Sequence, residues 1–185
     1  EILGIEPMSD AFEGLRWERI ASYESVEDAA QKVRQEWNLG VAPIPSVTSL
    51  LEKKGIMVLE VDLQERFHGL ACTVKRAGVE ADTDVVVVSS QANVERKRFS
   101  LAHELAHRVI RDVSPEINLE KAMQRFAGAF LIPREHLVTE VGEKRGKITY
   151  HEIMWLKKKY GVSASAMLVR LGQAGIVSQN FVQYA

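Results

Sequence analysis

Cysteine is almost absent from this chain: Cys72 is the only one, so no internal disulfide can form, and the composition fits a reducing compartment. Long apolar runs are missing as well. The most strongly apolar stretch, around Val85–Val88, is far too short to cross a bilayer. Neither sign of charge dominates. The 24 Lys and Arg against 25 Asp and Glu leave a net charge of −1, which argues against the whole chain binding nucleic acid non-specifically but leaves room for a local basic patch. There is no internal repeat, no low-complexity tract and no recognisable signal peptide. The chain opens at Glu1 rather than at Met, which fits a fragment or a processed form. What remains is an ordinary globular composition, 46% hydrophobic and 26% charged over 185 residues, enough for one domain with a real core.

The order of elements follows from spacing and punctuation. Residues 1–24 carry Gly4, Pro7 and Gly14 in a mixed context and read as a linker or tail, leaving 25–185 as the folded domain. Val26, Ala29, Ala30, Val33 and Trp37 recur at helical spacing, with Gly40 as a stop. Pro43 and Pro45 interrupt the chain, and Ser46 can cap a second helix running to about Lys54. Strands are expected at Ile56–Val61, near Gly69–Val74 and at Asp84–Ser89. A helix over about Asn93–Arg111 follows, and the remainder is mostly helical, ending in a helical hairpin over Tyr150–Gly172. This is an α+β pattern: a mostly helical domain with a small sheet, not alternating βα units. The Val85–Val88 run is expected to be a buried strand, lying along a substrate cleft as an edge strand.

The most informative residues are His103-Glu-Leu-Ala-His107. On a helix the two histidines stand one turn apart on one face, the spacing that lets two imidazoles bind one Zn²⁺. Glu104 lies about 100° round from His103, where a carboxylate can act as general base. Chance would give this motif about once in a hundred such chains, so context matters. On a helical wheel Phe99, Leu101, Ala102, Leu105, Ala106, Val109 and Ile110 cover more than half the circumference. Ser100, His103, Glu104 and His107 share the remaining sector. Such a helix is buried, and its polar sector must open onto a cleft or meet buried partners.

Catalytic zinc sites usually take three protein ligands. Asp112, Glu116 and Glu120 are the downstream candidates. Asp112 and Glu116 fall where carboxylates are easily solvated. Glu120 is in line with Met123, Ala127 and Leu131 on an apolar stripe, where a carboxylate is costly unless it meets a cation. The alternative for Glu120 is a first-turn charge that complements the helix dipole.

These residues resemble a known family. Arg98-Phe-Ser-Leu-Ala-His-Glu-Leu-Ala-His, then Glu120-x-x-Met-Gln-x-Phe-Ala, then Phe130-Leu-Ile-Pro133 look like the ImmA/IrrE family of zinc metallopeptidases. So do Trp37-Asn-Leu-Gly40 with Pro43-Ile-Pro45, the helix end Leu50-Leu51-Glu52-x-x-Gly55, and Tyr160-Gly-Val-Ser163. The resemblance runs from about residue 26 to 178. It implies a zincin-like domain with His103, His107 and Glu120 as zinc ligands and Glu104 as the catalytic base. It also implies a cytoplasmic peptidase that cleaves a DNA-binding repressor to switch on stress-response or mobile-element genes. Relatives often carry an N-terminal helix-turn-helix domain, and this chain is expected to be the C-terminal part of such a regulator. Two positions depart from the pattern: Ala106 stands where Gly is usual before the second His, and Met123-Gln124 where Ala-Asn or Ala-Asp is usual.

Two other function classes compete with peptidase. One is a proteolytically silent, zinc-containing regulatory or sensor domain of a helix-turn-helix transcription factor, which the Gln124 departure keeps open. The other is DNA binding through the helix–turn–helix of Tyr150–Gly172. Its second helix offers only Arg170 as a long cation, poor equipment for phosphates or base edges. His68, Arg98, Tyr150 and His151 could stabilise a transition state by residue type alone. His136 is expected to face solvent.

Overall fold

The computed structural model describes residues 11–62, 69–75 and 82–184. Short polar side chains set most helix starts by accepting an orphan N–H of the first turn. Ser22 caps α1 (Tyr23–Glu36), Ser46 caps α2 (Val47–Lys53), Asn93 caps α3 (Val94–Val109) and Asn118 caps α4 (Leu119–Leu131). Pro133 precedes α5 (Arg134–Val141), where no side-chain cap forms. Thr149 and Glu152 build a reciprocal capping box at the start of α6 (Tyr150–Tyr160), and Gly161, left-handed at φ 64°, ends it. Ser163 caps α7 (Ala164–Gln173), and a short α8 (Gln179–Tyr184) follows.

Three strands, β1 (Met57–Val61), β2 (Leu70–Val74) and β3 (Thr83–Ser89), pair in the order β1-β3-β2. β1 runs parallel to β3 and β2 antiparallel to it, with Val58 opposite Val86 and Ala71 opposite the same residue. The architecture is mixed α+β, as the pattern of the sequence implies. The Val85–Val88 run lies in the central strand, not at an edge. Its four consecutive valines present apolar side chains to both faces, and a central strand can bury both. The edges belong to β1 and β2.

α3 lies under the sheet. Val86 and Val88 share a continuous core with Leu101, Leu105 and Val109 of α3 and with Met123, Phe126 and Phe130 of α4. α4 in turn packs on α1 and α7. An arginine fixes α3 at each end. Near its start, Arg98 donates to the carbonyls of Ile44, Pro45, Tyr160 and Gly161 at 2.7–3.1 Å. Near its end, Arg108 donates to Thr73 of β2 and Asp84 of β3.

The stretch expected to be a linker or tail behaves otherwise over its described part. Phe12, Leu15 and Ile20 are buried in the core. Trp17 and Ile20 pair with the chain leaving α3: Trp17 N–H donates to Val109 C=O at 2.7 Å and Ile20 N–H to Asp112 C=O at 2.9 Å. Three apolar side chains anchor this segment, too irregularly spaced to show a helical or strand period.

Candidate metal centre

His103 and His107 stand one turn apart on α3, their Nε2 atoms 3.3 Å apart. Glu120, in the first turn of α4, brings Oε2 to 3.3 Å from His103 Nε2 and Oε1 to 3.7 Å from His107 Nε2. The three side chains form a group able to hold a metal ion. Their spacing is the test. Donors arranged tetrahedrally around zinc, each about 2.0–2.1 Å from it, lie about 3.3–3.4 Å from one another. Two edges, His103 Nε2–His107 Nε2 and His103 Nε2–Glu120 Oε2, match that figure, and the other Glu120 oxygen lies 3.7 Å from His107 Nε2. Neutral imidazoles and a carboxylate bring lone pairs to one point, and a divalent cation is the natural partner for such a set. The residues fit a metal ion of the zinc class.

Among the described residues, neither Asp112 nor Glu116 joins this group. The reason for Glu120 differs from the wheel argument, however. Met123, Ala127 and Leu131 are fully buried, but the Glu120 side chain is 64% exposed. The first turn of α4 stands at the rim of a cleft, so no core-burial penalty drives the carboxylate to a cation. The packing of α4 on α3 delivers it.

Glu104 is only 6% exposed. Burial, and then the charge of Glu120, push its carboxyl up from the usual range to about 7, while a hydrogen bond from the Ala71 backbone in β2 works the other way. β2 therefore supports the candidate base through its backbone. Gly69, just before β2, makes room for this arrangement: a Cβ there would lie 2.6 Å from Glu104 Oε1 and 2.8 Å from its Cγ. Sequence reasoning missed Gly69 and Ala71. The available signal was a glycine at the mouth of a strand, which often marks a close approach.

The cleft at this centre has a volume of about 230 Å³ and is also lined by Phe99, Ser100 and Gln124. Gln124, one turn beyond Glu120, thus faces the same space as the candidate ligands.

The remaining sequence candidates lie elsewhere. Tyr150 is 73% exposed on α6, His151 is exposed beside it, and Arg98 is committed to four carbonyls. His68 lies outside the described residues. His136 does not face solvent: its Nδ1 lies 2.7 Å from the hydroxyl of buried Tyr160, and its Nε2 3.7 Å from Glu140. Arg170 of α7 is 1% exposed and pairs with Glu27, which removes it from any surface that could meet a phosphate.

Comparison with known proteins adds to this geometry. No curated protein matches the chain. One of the solved structures it is similar to is a Mycobacterium tuberculosis transcriptional regulator, at 18% identity with a TM-score of 0.54. The match covers 80% of this chain and 47% of the regulator, so the chain spans about half the length of that protein and the likeness concerns the fold. Residues 51–172, from the end of α2 to α7, match the IrrE N-terminal-like domain of the peptidase M78 family. That span holds the sheet and both helices of the histidine–glutamate group, and by this match the chain belongs to the peptidase M78, or ImmA/IrrE, family.

Proposed function

We propose that this chain is a zinc-dependent endopeptidase in which His103, His107 and Glu120 hold the ion and Glu104 is the general base. The single observation that carries the reading is the convergence of three donor atoms, one from each of His103, His107 and Glu120, within 4.8 Å of one another, with a buried carboxylate next in sequence to one of them. Membership of a peptidase family supports it. A bound zinc supplies Lewis acidity, polarising a scissile carbonyl and making water easier to deprotonate.

The chain's own residues do the rest. Glu104 takes a proton from the attacking water as the water oxygen bonds to the carbonyl carbon. It then delivers that proton to the amide nitrogen as the C–N bond breaks. The Ala71 N–H and the bare Cα of Gly69 keep the Glu104 carboxylate in one place, which matters because a misplaced base loses much of its effect.

In this reading the substrate is a regulatory protein, a DNA-binding repressor whose cleavage in the cytoplasm releases stress-response or mobile-element genes. The similar solved structure is that of a transcriptional regulator, which is in keeping with a regulatory role. The peptidase unit takes in residues 25–185 together with the core segment around Phe12, Leu15 and Ile20, with α6 and α7 as its helical hairpin. One observation favours a second reading, a silent zinc-containing regulatory domain: Gln124 faces the cleft at the position where the family pattern has Asn or Asp.

Two measurements test the proposal. Protein purified without chelator should carry stoichiometric zinc, lost in Glu120→Ala and kept in Glu116→Ala. Incubated with a repressor encoded beside it, the wild type should give a defined fragment and Glu104→Gln none, with zinc still bound. Equal product from both proteins removes Glu104 as the base. Zinc without product from either supports the silent domain.

A further inference from the structure

Beside the metal cleft lies a groove of about 650 Å³. Phe99 and Gln124 line both, so the two spaces adjoin across these side chains. We propose that this groove seats the substrate residues flanking the scissile bond and selects an apolar side chain accompanied by an acidic one. The inference rests on the peptidase reading of the centre and deepens it by naming what the substrate must present.

Length, lining and charge support it. The α4 face that leads away from Glu120 passes Lys121, Gln124 and Arg125 to Gly128. Eight residues of helix span about 12 Å, close to the reach of four residues of extended chain. Apolar surface comes from Phe99 of α3, Ala166 and Val169 of α7, and Val182 of α8. The Val182 wall is held tightly, because α8 packs on α7 at Gly172, where an added Cβ would meet Val182 at 2.7 Å. Val169 is 48% exposed, so its methyl groups are accessible in the groove wall.

The charged lining groups are both cations, Lys121 and Arg125, and among the described residues no carboxylate lines the groove. Arg125 is already paired with Glu27 at 2.7 Å. Lys121 is exposed and has no carboxylate partner among the described residues. An apolar groove with one unmatched ammonium at its rim, beside a candidate peptide-cleaving centre, fits a hydrophobic residue next to Asp or Glu.

The test uses the zinc-loaded Glu104→Gln protein, so that nothing is cleaved. Its probe is a positional-scanning library of fluorescein-labelled dodecapeptides, with binding read by anisotropy. The expected profile favours Leu or Phe adjacent to Asp or Glu. Val169→Glu should weaken binding of the best pool at least tenfold, and Lys121→Glu should turn the acidic preference into one for Lys or Arg. Both positions are exposed, so circular dichroism and zinc content should match the parent. A library without positional preference, or the same affinity and preference in both variants, overturns the proposal. Hydrolysis of the best-binding library peptide by the unsubstituted zinc protein separates the two readings. Hydrolysis with an unswitched Lys121→Glu profile removes the groove and keeps the peptidase. A switched profile without hydrolysis keeps the groove and removes the peptidase.

Discussion

Where α4 meets α1 and α7, Arg170 forms a two-pronged pair with Glu27 at 2.9 and 3.0 Å and donates its Nε–H to the Ile132 carbonyl. Arg125 shares the same carboxylate, and nearby Arg34 donates to the carbonyls of Gly40, Ala42 and Phe130. Where α4 meets α3, His103, His107 and Glu120 instead bring three potential acceptor atoms to one point. The first cluster is complete within the protein, since each of these donors has its acceptor. The second offers acceptor atoms that a cation from outside would share. Buried or half-buried charge is thus a poor sign of function by itself, and the balance of donors to acceptors is the better one.

Glu27→Ala should have the largest effect. It strands Arg170, which is 1% exposed, beside Arg125, and removing one partner of a buried pair costs about 3–5 kcal/mol. Urea unfolding measures it, and a loss under about 1 kcal/mol would show that the arginine cluster relaxes into solvent. Next comes Gly69→Ala, which pushes Glu104 from its place and should lower peptide hydrolysis about 100-fold while leaving zinc content unchanged. Loss of zinc together with activity would mean that the whole α3–β2 contact had shifted.

A third prediction concerns acid. Burial pushes the Glu27 carboxyl up, but hydrogen bonds and charge from Arg170 and Arg125 outweigh it and hold the group below the usual carboxylate range. A lowered folded value means that the stabilisation is complete above the ordinary carboxylate pKa. It fades as pH falls through the lowered one. Denaturation midpoints should therefore drop below about pH 4 more steeply in the wild type than in Glu27→Gln. Parallel curves would contradict that assignment.

The smallest effect belongs to the other cluster. In chelator, Glu120→Ala should change stability by no more than about 0.5 kcal/mol, because the side chain is 64% exposed. With zinc at a hundredfold excess over Kd, the wild type should gain about 2.7 kcal/mol and the variant much less. A chelator-insensitive loss in the variant would place Glu120 among the structural charges.

Much of this was legible in the chain, and for identifiable reasons. The start of α2 followed from Ser46, whose cap acts within three residues. The candidate ligands on α3 followed from a one-turn spacing. Glu120 was legible for a partly mistaken reason, since the wheel pointed it at the core and the fold sets it at a rim. Whatever depends on non-local pairing stayed hidden. The central place of β3 is set by partners on both sides, and Gly69 matters only because α3 brings Glu104 beneath it. The role of residues 11–22 depends on the chain leaving α3, about 90 residues further on.

Arg98 bears on when the site comes into being during synthesis. Its guanidinium ties α3 to carbonyls 53 and 54 residues earlier and to carbonyls 62 and 63 residues later. Closing loops of that length carries an entropic penalty that local helix formation does not, so contacts of this kind form late. His103 lies little more than a turn beyond Arg98 on the same helix, and its final setting waits on both closures. A nascent chain still on the ribosome before Gly161 emerges holds the full His103–His107 motif without a fixed site. The timing delays assembly of the histidine–glutamate group until the chain through Gly161 has been made.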